Sequence, residues 1–229
     1  MTERPALRPD LRPVGDHALA VEFADQLDDA AHAEVLRLDA ALAAEPFPGF
    51  RETVPSYVAL LVVFDPAETD HAAAAAAVRR LLSAPAAPRP EGALREVEVC
   101  YAPEVAPDLH AVAEATGLTP EAVIAAHLSG DYRVAMFGFA PGYAYMAGTP
   151  APIRLPRKPA PVRGIPAGAV LIAGPQCLVT TVVMPTGWWI VGRSPTRILG
   201  EDAGRPVLLD VGDRVRFRRV GLSALGDAP

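Results

Sequence analysis

Tyr132-Arg-Val-Ala-Met-Phe-Gly-Phe-Ala-Pro-Gly-Tyr-Ala-Tyr145 opens a run that continues through Leu155-Pro-Arg-Lys-Pro159 and Ile165-Pro-Ala-Gly-Ala-Val-Leu-Ile-Ala-Gly174. It closes on Gly187-Trp-Trp-Ile-Val-Gly-Arg193. Short apolar runs alternate here with glycine and proline, a pattern that predicts many short strands folded into a closed or nearly closed sheet. The loops between them hold most of the side chains with chemistry to offer, and both tryptophans lie inside the stretch.

Working outward, Val207–Phe217 reads as two strands around a Val-Gly-Asp turn, and the tail from Gly221 as frayed. Upstream, Leu94–Tyr101 reads as a strand and Pro107–Thr116 as a helix closed by Gly117. Thr119-Pro120-Glu121 starts another helix, since Thr is a good N-cap and Pro suits the first helical position. That helix runs to about Leu128 and carries His127 in its last turn. In the first half, Val14–Phe23 reads as a strand. Asp28 or Asp29 can cap a helix over Ala30–Ala44, where Val35, Leu38 and Leu42 keep helical spacing. The continuous apolar run Tyr57–Phe64 predicts a central strand covered on both faces. Asp70 caps a second helix, His71–Leu82, and Ala84–Pro90 is the natural linker. The pattern is α+β: a small N-terminal α/β sandwich over residues 1–90, followed by a β-barrel over residues 91–229.

Composition narrows the function classes. The chain has 229 residues, 51% apolar, with a net charge of −6, which argues against a nucleic-acid surface. The basic residues between Arg214 and Arg219 alternate with Val215 and Phe217, as on a solvated strand face. The 25 prolines and 18 glycines exceed the usual share of about 12%, and in so apolar a chain the excess means turns rather than disorder. No apolar run approaches the ~20 residues of a membrane span. No export signal precedes the fold, and Cys100 and Cys177 are too few for a disulfide framework, so a cytoplasmic setting is expected.

Gly138-Phe-Ala-Pro-Gly-Tyr-Ala-Tyr145 is not a phosphate loop, because it lacks the Lys-Ser/Thr ending. Gly138 and Gly142 permit positive φ or close backbone approach, and the aromatics Phe139, Tyr143 and Tyr145 can form a wall; a plain structural turn is the alternative. His127 can serve as a general acid/base or a polar group at a pocket mouth, or be a protonated ring favoured by the helix C-terminus. Arg157 suits forked recognition of a carboxylate or phosphate, unless it and Lys158 are a solvated pair. Gln176 can present donor and acceptor to a planar amide, or cap a turn. Cys177 reads as a small strand hydrophobe rather than a nucleophile. Trp188 and Trp189, adjacent on one strand, face opposite ways. The five histidines show no metal-ligand spacing, so no protein-built metal site is expected.

Taken in order, His127, Tyr132-x-Val134, Gly138-Phe-x-Pro-Gly-Tyr-x-Tyr145, Pro156-Arg157, Ile165-Pro-Ala-Gly-Ala-Val170, Ala173-Gly-x-Gln176, Gly187-Trp188 and Gly192-Arg193 resemble the B-subunit family of bacterial 5-oxoprolinase. The family is also labelled allophanate hydrolase subunit 1, KipI-like, or carboxyltransferase domain. The resemblance spans nearly the whole chain, because Pro107-Asp-Leu and Leu209-x-x-Gly-Asp-x-Val-x-Phe217 also fit. It implies that the barrel is cyclophilin-like. It implies ATP-dependent opening of 5-oxo-L-proline to L-glutamate, together with a C-type subunit of homologous fold and an A-type subunit. The ATP is used by the complex. The implied pocket lies on the barrel near the contact with the C-type partner. His127, Arg157 and Gln176 are its expected catalytic groups. Gly138, Phe139, Pro141, Gly142, Tyr143, Trp188 and Arg193 are its expected substrate contacts. Three departures bear on the substrate. The usual Gln-Thr-Gly-Ile/Val-Tyr run is Gln176-Cys-Leu-Val-Thr180, the usual Pro between the loop aromatics is Ala144, and a second Pro-Arg is Pro161-Val162. The resemblance leaves two other activities open: a KipI-like inhibitor of a histidine kinase, and a urea- or allophanate-type carboxyltransferase component.

Overall fold

Residues 9–84, 92–202 and 204–226 are described by a computed structural model of the chain. The linker expected at Ala84–Pro90 lies outside these residues, apart from Ala84 itself. The chain divides into two compact units, Met1–Pro90 and Glu91–Pro229.

The first unit opens with a hairpin of β1 (Asp10–Val14) and β2 (Ala18–Glu22), turned at Gly15 with φ +58°. The single strand expected from Val14 to Phe23 is thus preceded by a strand of its own. β1 pairs only with β2, so its Pro13 sits on a sheet edge where no ladder donor is missed. Helix α1 (Asp29–Ala44) is capped by Asp28, whose carboxylate accepts the Ala31 N–H at 2.7 Å. Strand β3 (Phe50–Pro55), not expected from the sequence, follows, then β4 (Ala59–Phe64) and α2 (His71–Ser83), the last capped by Asp70 at Ala73 N. The sheet order is β1-β2-β4-β3, with antiparallel neighbours throughout. The apolar run of β4 is not covered on both faces. Leu60, Val62 and Phe64 are buried with Val35, Leu38 and Leu42 of α1 and Val78 of α2, while the alternate residues are only half-buried. Both helices pack in one core with one side of the sheet, which leaves the other side without a layer of its own within this unit.

In the second unit, β5 (Leu94–Cys100) leads to α3 (Leu109–Thr116), which ends at Gly117 in the left-handed region with φ +69°. Helix α4 (Pro120–Leu128) starts as the sequence predicts: Pro120 is at the first position and Thr119 Oγ1 accepts the Ala122 N–H at 3.2 Å. Replacing Thr119 with Ala should remove about 1 kcal/mol and lower Tm by roughly 3 °C, measured by thermal unfolding. A variant as stable as the parent would show that this cap contributes nothing.

The strands that follow are β6 (Tyr132–Phe137), β7 (Ala144–Ala147), β8 (Val162–Ile165), β9 (Ala169–Ala173), β10 (Gln176–Val179), β11 (Met184–Thr186), β12 (Trp189–Arg193) and β13 (Arg214–Val220). Seven of the strands close into a barrel in the order β10-β7-β6-β13-β5-β12-β9, and β8 and β11 form a separate ribbon. Around the ring only β13 and β5 run parallel. The fold is α+β with a closed barrel, as the sequence predicts.

Alternation sorts the barrel residues. Val97, Val99, Val134, Met146, Ile172, Cys177 and Phe217 fill the interior with apolar residues of α3 and α4. Such a small barrel is a packed core, not a channel. The opposite faces of β9, β10 and β12 present Leu171, Ala173, Leu178 and Ile190 to a second cluster with Tyr143, Trp188 and the ribbon's Ile165 and Met184. β9 is therefore the strand buried on both faces.

Residues 207–217 do not make two strands. Val207 forms an isolated bridge with Leu199, and only β13 is regular. The buried Asp213 carboxylate explains this. It accepts N–H groups from Ala93 at 2.8 Å and Asp210 at 3.1 Å and the Arg95 guanidinium at 2.8 Å, so a side-chain clasp replaces a hairpin. The outward arginines of β13 are exposed, and Arg214 and Arg218 pair with Asp131 and Glu96, as a solvated face should. Beyond Gly221 the chain is not frayed at once, since Leu222–Leu225 forms a turn of 3-10 helix. Among the described residues no helix is long and apolar enough to cross a membrane.

Candidate functional site

The loop between β6 and β7 closes on itself: Gly138 N–H donates to Tyr143 O at 3.2 Å and Tyr143 N–H to Ala140 O at 3.1 Å. Gly142 takes φ +66°, as its residue type permits. Phe139 is the unexpected member. It has φ +72°, which costs an L-residue roughly 1–2 kcal/mol, and it is 74% exposed. The loop runs into a strand rather than a helix, so it offers no helix N-terminus to phosphates.

From Phe139 an aromatic row crosses the outer face of the barrel. Ring centroids lie 5.5 Å apart from Phe139 to Tyr143, 5.3 Å from Tyr143 to Tyr145, and 5.8 Å from Tyr145 to Trp188. Over Trp188, at 5.7 Å from its centroid, lies the Arg157 guanidinium, a cation–π stack. Burial raises the pKa of both phenols, Tyr143 to about 12, and the nearby Arg157 charge opposes that rise at each. Tyr145, the last residue of the loop motif, belongs to this site although it is not among the expected substrate contacts. Two residues apart at the start of a strand, Tyr143 and Tyr145 share a face.

Arg157 is exposed, but the backbone on either side of it is held. Its loop is pinned by Trp189 Nε1–H donating to Pro156 O at 2.8 Å and by Lys158 N–H donating to Gly187 O at 2.6 Å. The Lys158 ammonium sits 2.7 Å from Asp108 Oδ2, which also accepts the Ile190 N–H at 2.7 Å. Lys158 is thus a largely buried partner of Asp108, not half of a solvated pair with Arg157. Trp188 and Trp189 do face opposite ways: Trp188 joins the outer cluster and Trp189 packs on the barrel core.

Gln176 opens β10 opposite Ala147 and Ala173. Cys177 points inward, so alternation turns Gln176 to the outer side with Ala173 and Leu178, the face that carries the aromatic row. The structure thus brings Arg157, Gln176, Gly138, Phe139, Pro141, Gly142, Tyr143 and Trp188 to one side of the barrel.

It does not bring His127 there. That ring is wholly buried at the end of α4, inside the barrel core. Nδ1 lies 2.7 Å from Tyr101 Oη, Nε2 lies 3.5 Å from Cys177 Sγ, and the ring packs 4.6 Å from Phe217. Burial alone lowers its pKa to about 3, so it is a neutral imidazole. Neither a pocket-mouth acid/base nor a protonated helix-end histidine describes it. Burial also pushes the Cys177 thiol well above its ordinary range. The Cys177–His127 contact is therefore thiol to neutral imidazole, and Cys177 is the strand hydrophobe its sequence suggests.

Arg193 is also elsewhere. It ends β12, whose first residue directly follows Trp188, and the ~3.3 Å rise per strand residue separates the two by well over 10 Å. Arg193 instead lines a cavity of about 740 Å³ with Thr181 and Leu199. The two regions meet at the loop: Thr181 Oγ1 donates to Pro141 O at 2.7 Å, and a methyl on Gly142 would strike Leu199 Cδ2 at 2.5 Å. Among the described residues no cluster of His, Cys, Asp and Glu could hold a metal ion.

The chain belongs to the carboxyltransferase domain family, subdomains C and D, which matches residues 9–209. It is similar to a Bacillus subtilis (strain 168) protein named as the B subunit of 5-oxoprolinase, at 34% identity over 93% of this chain and 94% of that one. Among solved structures it resembles that of TTHA0988, with 33% identity and a TM-score of 0.78, covering 90% of this chain and 40% of that one. The urea amidolyase of K. lactis shares the fold, with a TM-score of 0.79 at 15% identity over 98% of this chain and 15% of that one.

Proposed function

We propose that this chain is the B-type subunit of a cytoplasmic, ATP-dependent 5-oxoprolinase complex. In that complex it opens 5-oxo-L-proline to L-glutamate beside a C-type subunit of related fold and an A-type subunit. The observation that carries the reading is the stack of Arg157 on Trp188 at the end of an aromatic row, with Gln176 on the same face. The name of the Bacillus subtilis relative supports it.

The substrate is a flat lactam with a carboxylate. A guanidinium held in place by its loop can grip the carboxylate in a fork, and an aromatic row suits the flat ring. The Gln176 side-chain amide can match the lactam N–H and C=O. An unactivated amide is slow to hydrolyse, and phosphorylation by ATP supplies the activation. The Gly138–Tyr145 segment offers no helix N-terminus to phosphates, and the ATP is assigned to the complex rather than to that loop. Phe139, strained and exposed, is the residue we assign to the contact with the C-type partner. His127, neutral and enclosed, organises the barrel end and carries no proton in the reaction.

Co-expression with the neighbouring genes of the complex, followed by assay of glutamate release from 5-oxoproline with and without ATP, tests the reading. ATP-dependent release is expected. Arg157→Ala in the assembled complex should lower kcat/KM about tenfold to a hundredfold, as loss of a charge-assisted contact does. An assembled complex with no turnover, or with Arg157→Ala fully active, would remove the assignment. A chain that instead blocks a histidine kinase would favour the inhibitor reading, and one that requires a biotin-bearing partner the carboxyltransferase reading.

A further inference from the structure

Building on the function assigned above, we propose that Tyr145 is a specificity-determining residue of the aromatic face. Its hydroxyl donates to the carboxylate that Arg157 holds, and so sets an anionic ring apart from a neutral one.

Tyr145 is the second residue of β7, between Ala144 and Met146. Met146 belongs to the barrel core, so alternation turns Tyr145 outward. Its ring is the one beside Trp188, at 5.8 Å between centroids, and Arg157 stacks on Trp188. On the other side, Ala147 shares the Tyr145 face and stands directly across from Gln176. Tyr145 and Gln176 are thus diagonal neighbours on paired strands, about 7–8 Å apart and within reach of long side chains. The phenol therefore lies between the guanidinium assigned to the carboxylate and the amide assigned to the lactam. In 5-oxo-L-proline those two groups flank the same ring nitrogen, so one small ligand spans all three side chains.

The surroundings favour an anion. From 132 to 200 the chain has no Asp or Glu, although overall the acids outnumber the bases, 27 to 21. Asp108, which meets the Arg157 loop at Lys158, is committed to that ammonium and to the Ile190 N–H. Among the described residues the Tyr145 hydroxyl meets no acceptor, and burial raises its pKa, so at neutral pH it is a proton donor with its proton to offer. An O–H donated to a carboxylate is a charge-assisted bond, which a ring without the carboxylate forgoes.

The test is titration of the full chain with 5-oxo-L-proline and, separately, with 2-pyrrolidinone, the same ring without the carboxylate, followed by the NMR resonances of Trp188 and Gln176. Tyr145→Phe removes an unbonded hydroxyl and keeps the ring, so the row and the fold are retained. It should narrow the preference for the acid over 2-pyrrolidinone about tenfold. In the assembled complex the same variant should raise KM for 5-oxo-L-proline about tenfold with kcat little changed, as loss of uniform binding does. A complex that releases glutamate with ATP, and whose KM is unmoved in Tyr145→Phe, overturns this role and leaves the 5-oxoprolinase assignment standing. A complex without turnover, in which Tyr145→Phe still weakens the acid on the chain alone, removes that assignment and leaves the contact in place. No saturable shift with the acid on the parent chain, or an equal loss of both ligands in the variant, also overturns the proposal.

Discussion

Acidification from about pH 7 to about pH 4 is expected to cost the protein about 3 kcal/mol through His127 alone. The ring is fully buried, and burial lowers its pKa from 6.5 to about 3. In the unfolded chain the same imidazole takes up a proton near its ordinary value. Between these two pKa values the unfolded state binds more protons than the folded one, so stability rises with pH across that window. The contribution is complete above the unfolded value and is lost as pH falls towards the folded one. Carboxylates also titrate on acidification, so the readout is a comparison. Urea unfolding of the parent and of His127→Gln, at a series of pH values, should give curves that converge as pH falls. The glutamine variant begins less stable, because it forfeits the Tyr101 and Cys177 contacts, but loses less on acidification. Parallel curves would mean that His127 is not held neutral by burial.

Removal of the Asp213 carboxylate has an effect of similar size. In Asp213→Ala the Arg95 guanidinium loses its partner, and the backbone N–H groups of Ala93 and Asp210 lose their acceptor. The Asp213 side chain is only 5% exposed and that of Arg95 23% exposed, so water replaces these bonds poorly. Breaking such a pair from one side costs about 3–5 kcal/mol. The exposed pair of Arg218 with Glu96 is the contrast, where a loss below about 1 kcal/mol is expected from Glu96→Ala. Urea midpoints for the two variants should differ accordingly. An Asp213→Ala protein as stable as Glu96→Ala would show that the clasp is decorative.

Local chemistry was legible in the sequence wherever the interacting groups are neighbours. Asp28, Asp70, Thr119 with Pro120, and Gly117 mark helix ends within a residue or two, because a cap is a contact over three positions. The glycine-punctuated half announced a barrel. Strand β3 was missed because its residues, Arg51 and Glu52 among them, lack an apolar rhythm, and the strand exists through pairing with β4. β4 itself carries more apolar residues than its one covered face uses, which misled the reading of its burial.

The candidate site divides in the same way. Trp188 and the Phe139–Tyr143 loop share a motif-rich stretch with Arg157, and all come together. The surroundings of His127 were beyond reach, since Tyr101, Cys177 and Phe217 converge on it from three separate strands or strand ends. Asp108, which pins the Arg157 loop through Lys158, lies 50 positions away and gives no local sign. The parting of Arg193 from Trp188 was within reach, because an extended strand between two residues sets them far apart.

The parallel pairing of β13 with β5 has a consequence for the order of assembly. Arg218 meets Glu96 across 122 positions, so the ring must wait for β13, which is synthesised after every other barrel strand. Until then β5 and β6 each present a bare edge, a hazard for chain-to-chain pairing, and closure over so long a loop is slow. A ribosome that stalls before Arg214 would release a molecule with an open seam and sound helices, a natural target for chaperones.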